Sequence, residues 1–123
     1  MKSTLFSLFM GSLLILSACG HKYDLKDDAK KIGDAMCKSI EVMNKLKAAN
    51  PADSEMVWKL RQDQKNNQIE MTILYQEFNA KWGDKTKKED FTKAFGQELR
   101  KAMIDCKSLS KEDRENFMKE IKE

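Results

Sequence analysis

From Leu25 onward the apolar residues return at steps of three and four: Leu25, Ala29, Ile32, Met36, Ile40, Met43 and Leu46. With about 3.6 residues per turn, such steps place every one of them on a single helical face, whereas a half-buried strand needs alternation by two. The spacing predicts a first helix from about Asp24 to Ala49. Asn50-Pro51 stop it, because proline disfavours helix at the residue before it and has no amide of its own to donate. Asp53-Ser54 then offer an N-cap to a second helix whose apolar positions are Met56, Val57, Leu60, Met71, Leu74, Tyr75, Phe78 and Trp82, with Gly83 closing it. In its middle, Arg61 to Gln68 contains no apolar residue, so either one long helix crosses solvent or two helices meet there. The absence of Gly and Pro from the run favours one helix.

Thr86-Lys87-Lys88-Glu89 fits a capping box, and a third helix from Thr86 would bury Phe91, Phe95, Leu99, Ala102 and Cys106. Ser110-Lys111-Glu112-Asp113 caps a last short helix carrying Phe117, Met118 and Ile121. No stretch alternates as a strand would, and the single proline falls between helices. The expected fold is therefore all-α, a small bundle of three or four amphipathic helices. A chain of 123 residues supports one such core and not two.

The chain ahead of the bundle is different in kind. Leu5 to Ala18 holds no charged residue, follows Met1-Lys2, and is too short to span a bilayer, which takes about 20 apolar residues. A positive start, an apolar run and the small residues Ser17-Ala18 are the parts of an export signal. The run ends in Leu16-Ser17-Ala18-Cys19, which resembles the lipobox of bacterial lipoproteins at all four positions. The resemblance covers only these first residues. It implies cleavage between Ala18 and Cys19 and diacylglycerol on the Cys19 thiol. Residues 1–18 would then be a signal peptide, 19–23 the lipidated cysteine and a short tether, and 24–123 a single helical domain attached to a membrane by lipid. Gly20 stands where aspartate would retain such a protein at the inner membrane in enterobacteria-like sorting, which implies the outer membrane and a domain facing the periplasm.

With Cys19 so assigned, Cys37 and Cys106 remain. Outside the reducing cytosol an even pair suggests a disulfide, and both residues lie on or beside apolar stripes. Two buried free thiols are the alternative, since Cys is among the most buried residues. A redox site would need a resolving thiol in Cys-x-x-Cys spacing, which neither has.

Much chemistry is missing. His21 is the only histidine, so neither a histidine-based nucleophile relay nor a multi-histidine metal site can be assembled. No Gly-rich phosphate loop is present, and the acids Asp27-Asp28 and Glu89-Asp90 occupy first helical turns, where they complement the helix dipole. The methionines of the domain are spread over its helices as flexible core fillers rather than gathered for copper. The charge of +3 is the balance of 23 basic and 20 acidic residues, which gives nucleic acid nothing to follow. Lys81, Lys85, Lys87 and Lys88 are interleaved with Asp84, Glu89 and Asp90 and read as a solvated turn, although anionic lipid or peptidoglycan is an alternative. No cofactor, metal or catalytic residue is expected beyond the lipid on Cys19.

Trp58, Ile69 and Ile73 fall on the side of helix 2 away from Met71, Tyr75 and Phe78. Either helix 2 is central and helices 1, 3 and 4 cover both of its faces, or these three residues form an exposed strip for a partner, with Gln64, Asn67 and Gln68 as a polar rim. The functional expectation is a non-catalytic binding or interaction module for another envelope protein. A passive structural or peptidoglycan-associated lipoprotein, or an enzyme with an unrecognised site, are the alternatives.

Overall fold

The computed structural model describes residues 24–122. The leader 1–18, Cys19 and the tether lie outside the described residues. Within them the chain forms α1 (Leu25–Ala48), α2 (Ser54–Trp82), α3 (Glu89–Ile104) and α4 (Lys111–Lys122). The Asp24 carboxylate accepts from the Lys26 amide at the start of α1, and Asp53 accepts from the Met56 amide at the start of α2. Each satisfies one of the amides that a helix N-terminus leaves without an intrahelical partner. Ser110 caps α4 reciprocally, its hydroxyl accepting from the Asp113 amide and donating to the Asp113 carboxylate. Through the polar run 61–68, α2 continues unbroken.

Two boundaries differ from those read off the sequence. α3 begins at Glu89, three residues after Thr86, and its N-cap Lys88 makes no side-chain cap. The Thr86 hydroxyl instead donates to the Gly83 carbonyl, and the Lys85 and Thr86 amides both donate to Trp82 O, so a tight turn takes the Thr86 amide that Glu89 would have bonded and holds the hydroxyl on Gly83. At its other end α3 stops at Ile104, which leaves Cys106 in the turn to α4.

The helices alternate in direction. Asp28 meets Trp82 and Ala35 meets Asn67, so α1 and α2 are antiparallel. Gly33 faces Ala102, Cys37 bonds Cys106 and Asn44 bonds Ser108, so α3 returns along α1 in the same direction. α4 then folds back on α3, joined by the Arg100–Glu120 ion pair. The central element is α1, which packs against both α2 and α3, while among the described helices α4 packs on α3 alone. Of the two arrangements open from the sequence, the one with helix 2 at the centre is thus set aside. Small residues make α1 the hub: Ala29, Gly33 and Ala35 are buried, and a Cβ on Gly33 would stand 2.9 Å from the Ala102 Cβ. That separation is inside ordinary contact, so glycine here lets two helix backbones approach closely.

The core has two parts. Ile32, Phe78 and Trp82 gather Leu25, Leu74, Phe91, Phe95 and Leu99 at the end where α1 begins. Phe78 lies 4.5 Å from Phe95 between ring centroids, and Trp82 lies 5.4 Å from Phe91, both tilted pairs within the favourable range for aromatic rings. Met103, Cys106 and Leu109 form the second part with Cys37, Ile40 and Phe117, and Met36 touches both. The Cys37–Cys106 disulfide ties α1 to the α3–α4 turn one helical turn beyond the Gly33–Ala102 approach.

Candidate functional site: the outer face of α2

On α2 the three candidate anchors share one line. From Trp58 to Ile69 is eleven positions, three full turns plus about 20°, and Ile73 follows about 40° further round. Phe78 and Trp82, both buried, lie roughly opposite. Since α3 and α4 pack elsewhere, nothing within the described residues covers this line. Trp58 is 64% exposed, Ile69 52% and Ile73 49%. Of the two readings open from the sequence, the exposed strip is the one this packing produces.

The polar rim does not survive intact. Gln68 is exposed, but Gln64 is half-buried and Asn67 is only 6% exposed. The Asn67 amide donates to the Ala35 carbonyl at 3.0 Å. Asn67 is therefore an interior contact between α1 and α2, and the polar break in the stripe is a helix-to-helix hydrogen bond that a periodicity of apolar residues cannot report.

A second exposed apolar region went unread. α2 has 29 residues and α3 has 16, lengths of about 44 Å and 24 Å. The shorter helix cannot cover the longer one, and the α1–α2 hairpin projects past the α3–α4 turn. Met56, placed on the buried stripe by its spacing, is half exposed there with Met43. Ala48, Ala49, Met56 and Leu60 floor an open cleft of about 490 Å³, with Lys45, Lys59 and Asp63 on its rim. The difference in helix length was the available signal.

At the opposite end sits a polar cluster. Asp28 is buried, its Oδ2 accepting from Trp82 Nε1 at 2.8 Å and its Oδ1 from Lys81 Nζ at 2.9 Å. Burial pushes this carboxyl up, but the hydrogen bonds from Trp82 and Lys81, with the positive charges of Lys81 and Lys31, outweigh it and hold the group below the usual range. Asp28 thus does more than complement the dipole of α1: it anchors the last turn of α2. Lys85 stands 5.3 Å from the centre of the Trp82 ring, a cation-π distance. Both lysines belong to the packing of this end.

No three His, Cys, Asp or Glu side chains among the described residues are grouped to hold a metal. No described helix is long and apolar enough to cross a membrane. Comparison with protein-family models, curated proteins and solved structures returns no match.

Proposed function

We propose that this chain is a lipid-anchored, non-catalytic binding module of the bacterial cell envelope, held at the outer membrane through Cys19 and facing the periplasm. The observation that carries the binding role is the uncovered line Trp58, Ile69 and Ile73 on a helix whose opposite face is packed. Aromatic and aliphatic anchors of this kind supply most of the energy of protein interfaces once a partner desolvates them. The lipobox resemblance at Leu16 to Cys19 supports the anchor, and a disulfide within the domain fits a compartment outside the reducing cytosol. Recruitment needs no reactive side chain. An anchored domain raises the effective concentration of whatever it binds near the membrane, and a recognition surface is sufficient for that.

Cross-linked affinity capture from envelopes, comparing wild type with an Ile69→Asp/Ile73→Asp variant, tests the surface. A partner held by the wild type and lost by an equally stable variant is expected. Equal capture by both would remove the strip from the function. Labelled palmitate entering the wild type and not Cys19→Ser is the parallel test of the anchor.

A further inference from the structure

Asp24 caps α1 and lies five positions after Cys19. An extended chain covers at most ~3.6 Å per residue, so these two Cα atoms stand no more than about 18 Å apart. α1 alone, with its 24 residues, is about 36 Å long. If Cys19 is lipidated, as the reading above has it, the end of the bundle that begins α1 is held near the headgroups and the hairpin at residues 49–53 has no such constraint.

The same end carries the α2–α3 turn, because Asp28 of α1 binds both Lys81 and Trp82 there. This turn and the start of α3 hold Lys85, Lys87, Lys88 and Lys93 against Asp84, Glu89 and Asp90. Glu89 and Asp90 suit the first turn of α3. Lys87 and Lys88 do not: both are exposed, and both place a cation beside the positive end of the helix dipole, where it costs stability. Their positions are unfavourable for the fold and suitable for an external anion.

We infer that the α2–α3 turn is a bilayer-facing surface for anionic headgroups, with Lys87 and Lys88 as its contact cations, and that the α1–α2 hairpin with its Met56–Leu60 cleft stands away from the membrane. The inference rests on lipidation of Cys19. Each lysine close to an anionic surface strengthens attachment on the order of fivefold, enough to bias the direction in which a tethered domain stands. It also assigns the cleft and Trp58 to the membrane-distal half, where a periplasmic partner meets them first.

The test uses the mature, lipidated protein in vesicles of phosphatidylcholine mixed with phosphatidylglycerol, and in vesicles of phosphatidylcholine alone, both containing a headgroup-labelled energy acceptor. A donor dye is placed at Ala80→Cys, near the turn, or at Ala52→Cys, in the hairpin. Both residues are exposed, and the disulfide keeps Cys37 and Cys106 from reacting. Strong transfer from position 80 and weak transfer from position 52 are expected in the anionic vesicles. Lys87→Gln/Lys88→Gln should lower transfer from position 80 there to the value in phosphatidylcholine alone. Equal transfer from both positions, or a double variant that changes nothing, overturns the inference while leaving the anchor standing. A mass spectrum showing Cys19 without lipid overturns both.

Discussion

Replacing Cys37 and Cys106 together by alanine releases the link between α1 and the α3–α4 turn, which closes a loop over a sequence separation of 69. In the chain-entropy description, closing a loop of about 70 residues removes about 15 cal/mol/K from the unfolded ensemble, or about 4.4 kcal/mol at 25 °C. The native state adds to this, since Cys106 is buried among Met103, Leu109 and Phe117 and alanine leaves the space of its sulfur unfilled. Against a total stability of 5–15 kcal/mol for small domains, a loss of about 4 kcal/mol is a large fraction. For a domain of this size each kcal/mol moves the melting temperature by about 4–8 °C, so a fall of roughly 18–35 °C is expected. Circular dichroism at the helical minimum, followed with temperature in a background lacking Cys19, measures it. Reductant should lower the wild-type transition most of the way to that of the variant, the remainder being the packing of the two sulfurs, and leave the variant unmoved. A double variant melting within about 3 °C of the oxidised wild type would refute the reasoning, because it would leave the link less than about 1 kcal/mol.

Gly33→Ala should destabilise by a net ~1 kcal/mol in urea melts: helix propensity gains up to about 1 kcal/mol, but the new methyl, 2.9 Å from the Ala102 Cβ, costs about 1–3 kcal/mol in displacing α3. Asp28→Ala leaves the buried Trp82 indole N–H without its acceptor and should cost about 1–3 kcal/mol, whereas Asp28→Asn keeps an acceptor oxygen and should cost less. Because the Asp28 carboxyl is held below its ordinary value of 3.8, its stabilisation is fully present above that pH and lost as pH falls through the folded-state value. The melting-temperature gap between wild type and Asp28→Asn should therefore be constant at neutral pH and close in acid; a gap that widens in acid would reverse the assigned sign. Asn67→Asp sets a carboxylate against the Ala35 carbonyl and should destabilise by more than 2 kcal/mol, while Ile69→Asp, on the open strip, should change stability by about 0.5 kcal/mol or less in the same denaturant series.

Much of the fold was legible because helix formation is a local matter. The caps Asp53 and Ser110, the stop at Asn50-Pro51 and the periodic segments depend on residues a few positions apart; the caps and the stop lie where the sequence places them, whereas α3 starts three residues late and ends before Cys106. Thr86 is the instructive exception. Its motif was present, yet the turn that brings α3 back against α1 bonds the Thr86 amide to Trp82 O and holds the hydroxyl on Gly83. The exposed strip was half legible: the angular positions of Trp58, Ile69 and Ile73 follow from the helical repeat, but whether a neighbour lies over them does not.

The order of residues alone places helical segments after Asp24, Asp53, Thr86 and Ser110, marks most of each apolar face, and leaves two cysteines beyond the lipobox-like motif. That α1 is the hub, that Asn67 and Asp28 are interior contacts, and that Met56 and the hairpin cleft lie open to solvent come from how the helices pack. The physical reason is the range of the interactions. A backbone hydrogen bond in a helix spans four residues, so its partners are written side by side in the chain. Which helix covers which is settled by contacts over much longer separations, among them 54 residues between Asp28 and Trp82 and 69 between Cys37 and Cys106, where side-chain volume and helix length decide and no local pattern records the outcome.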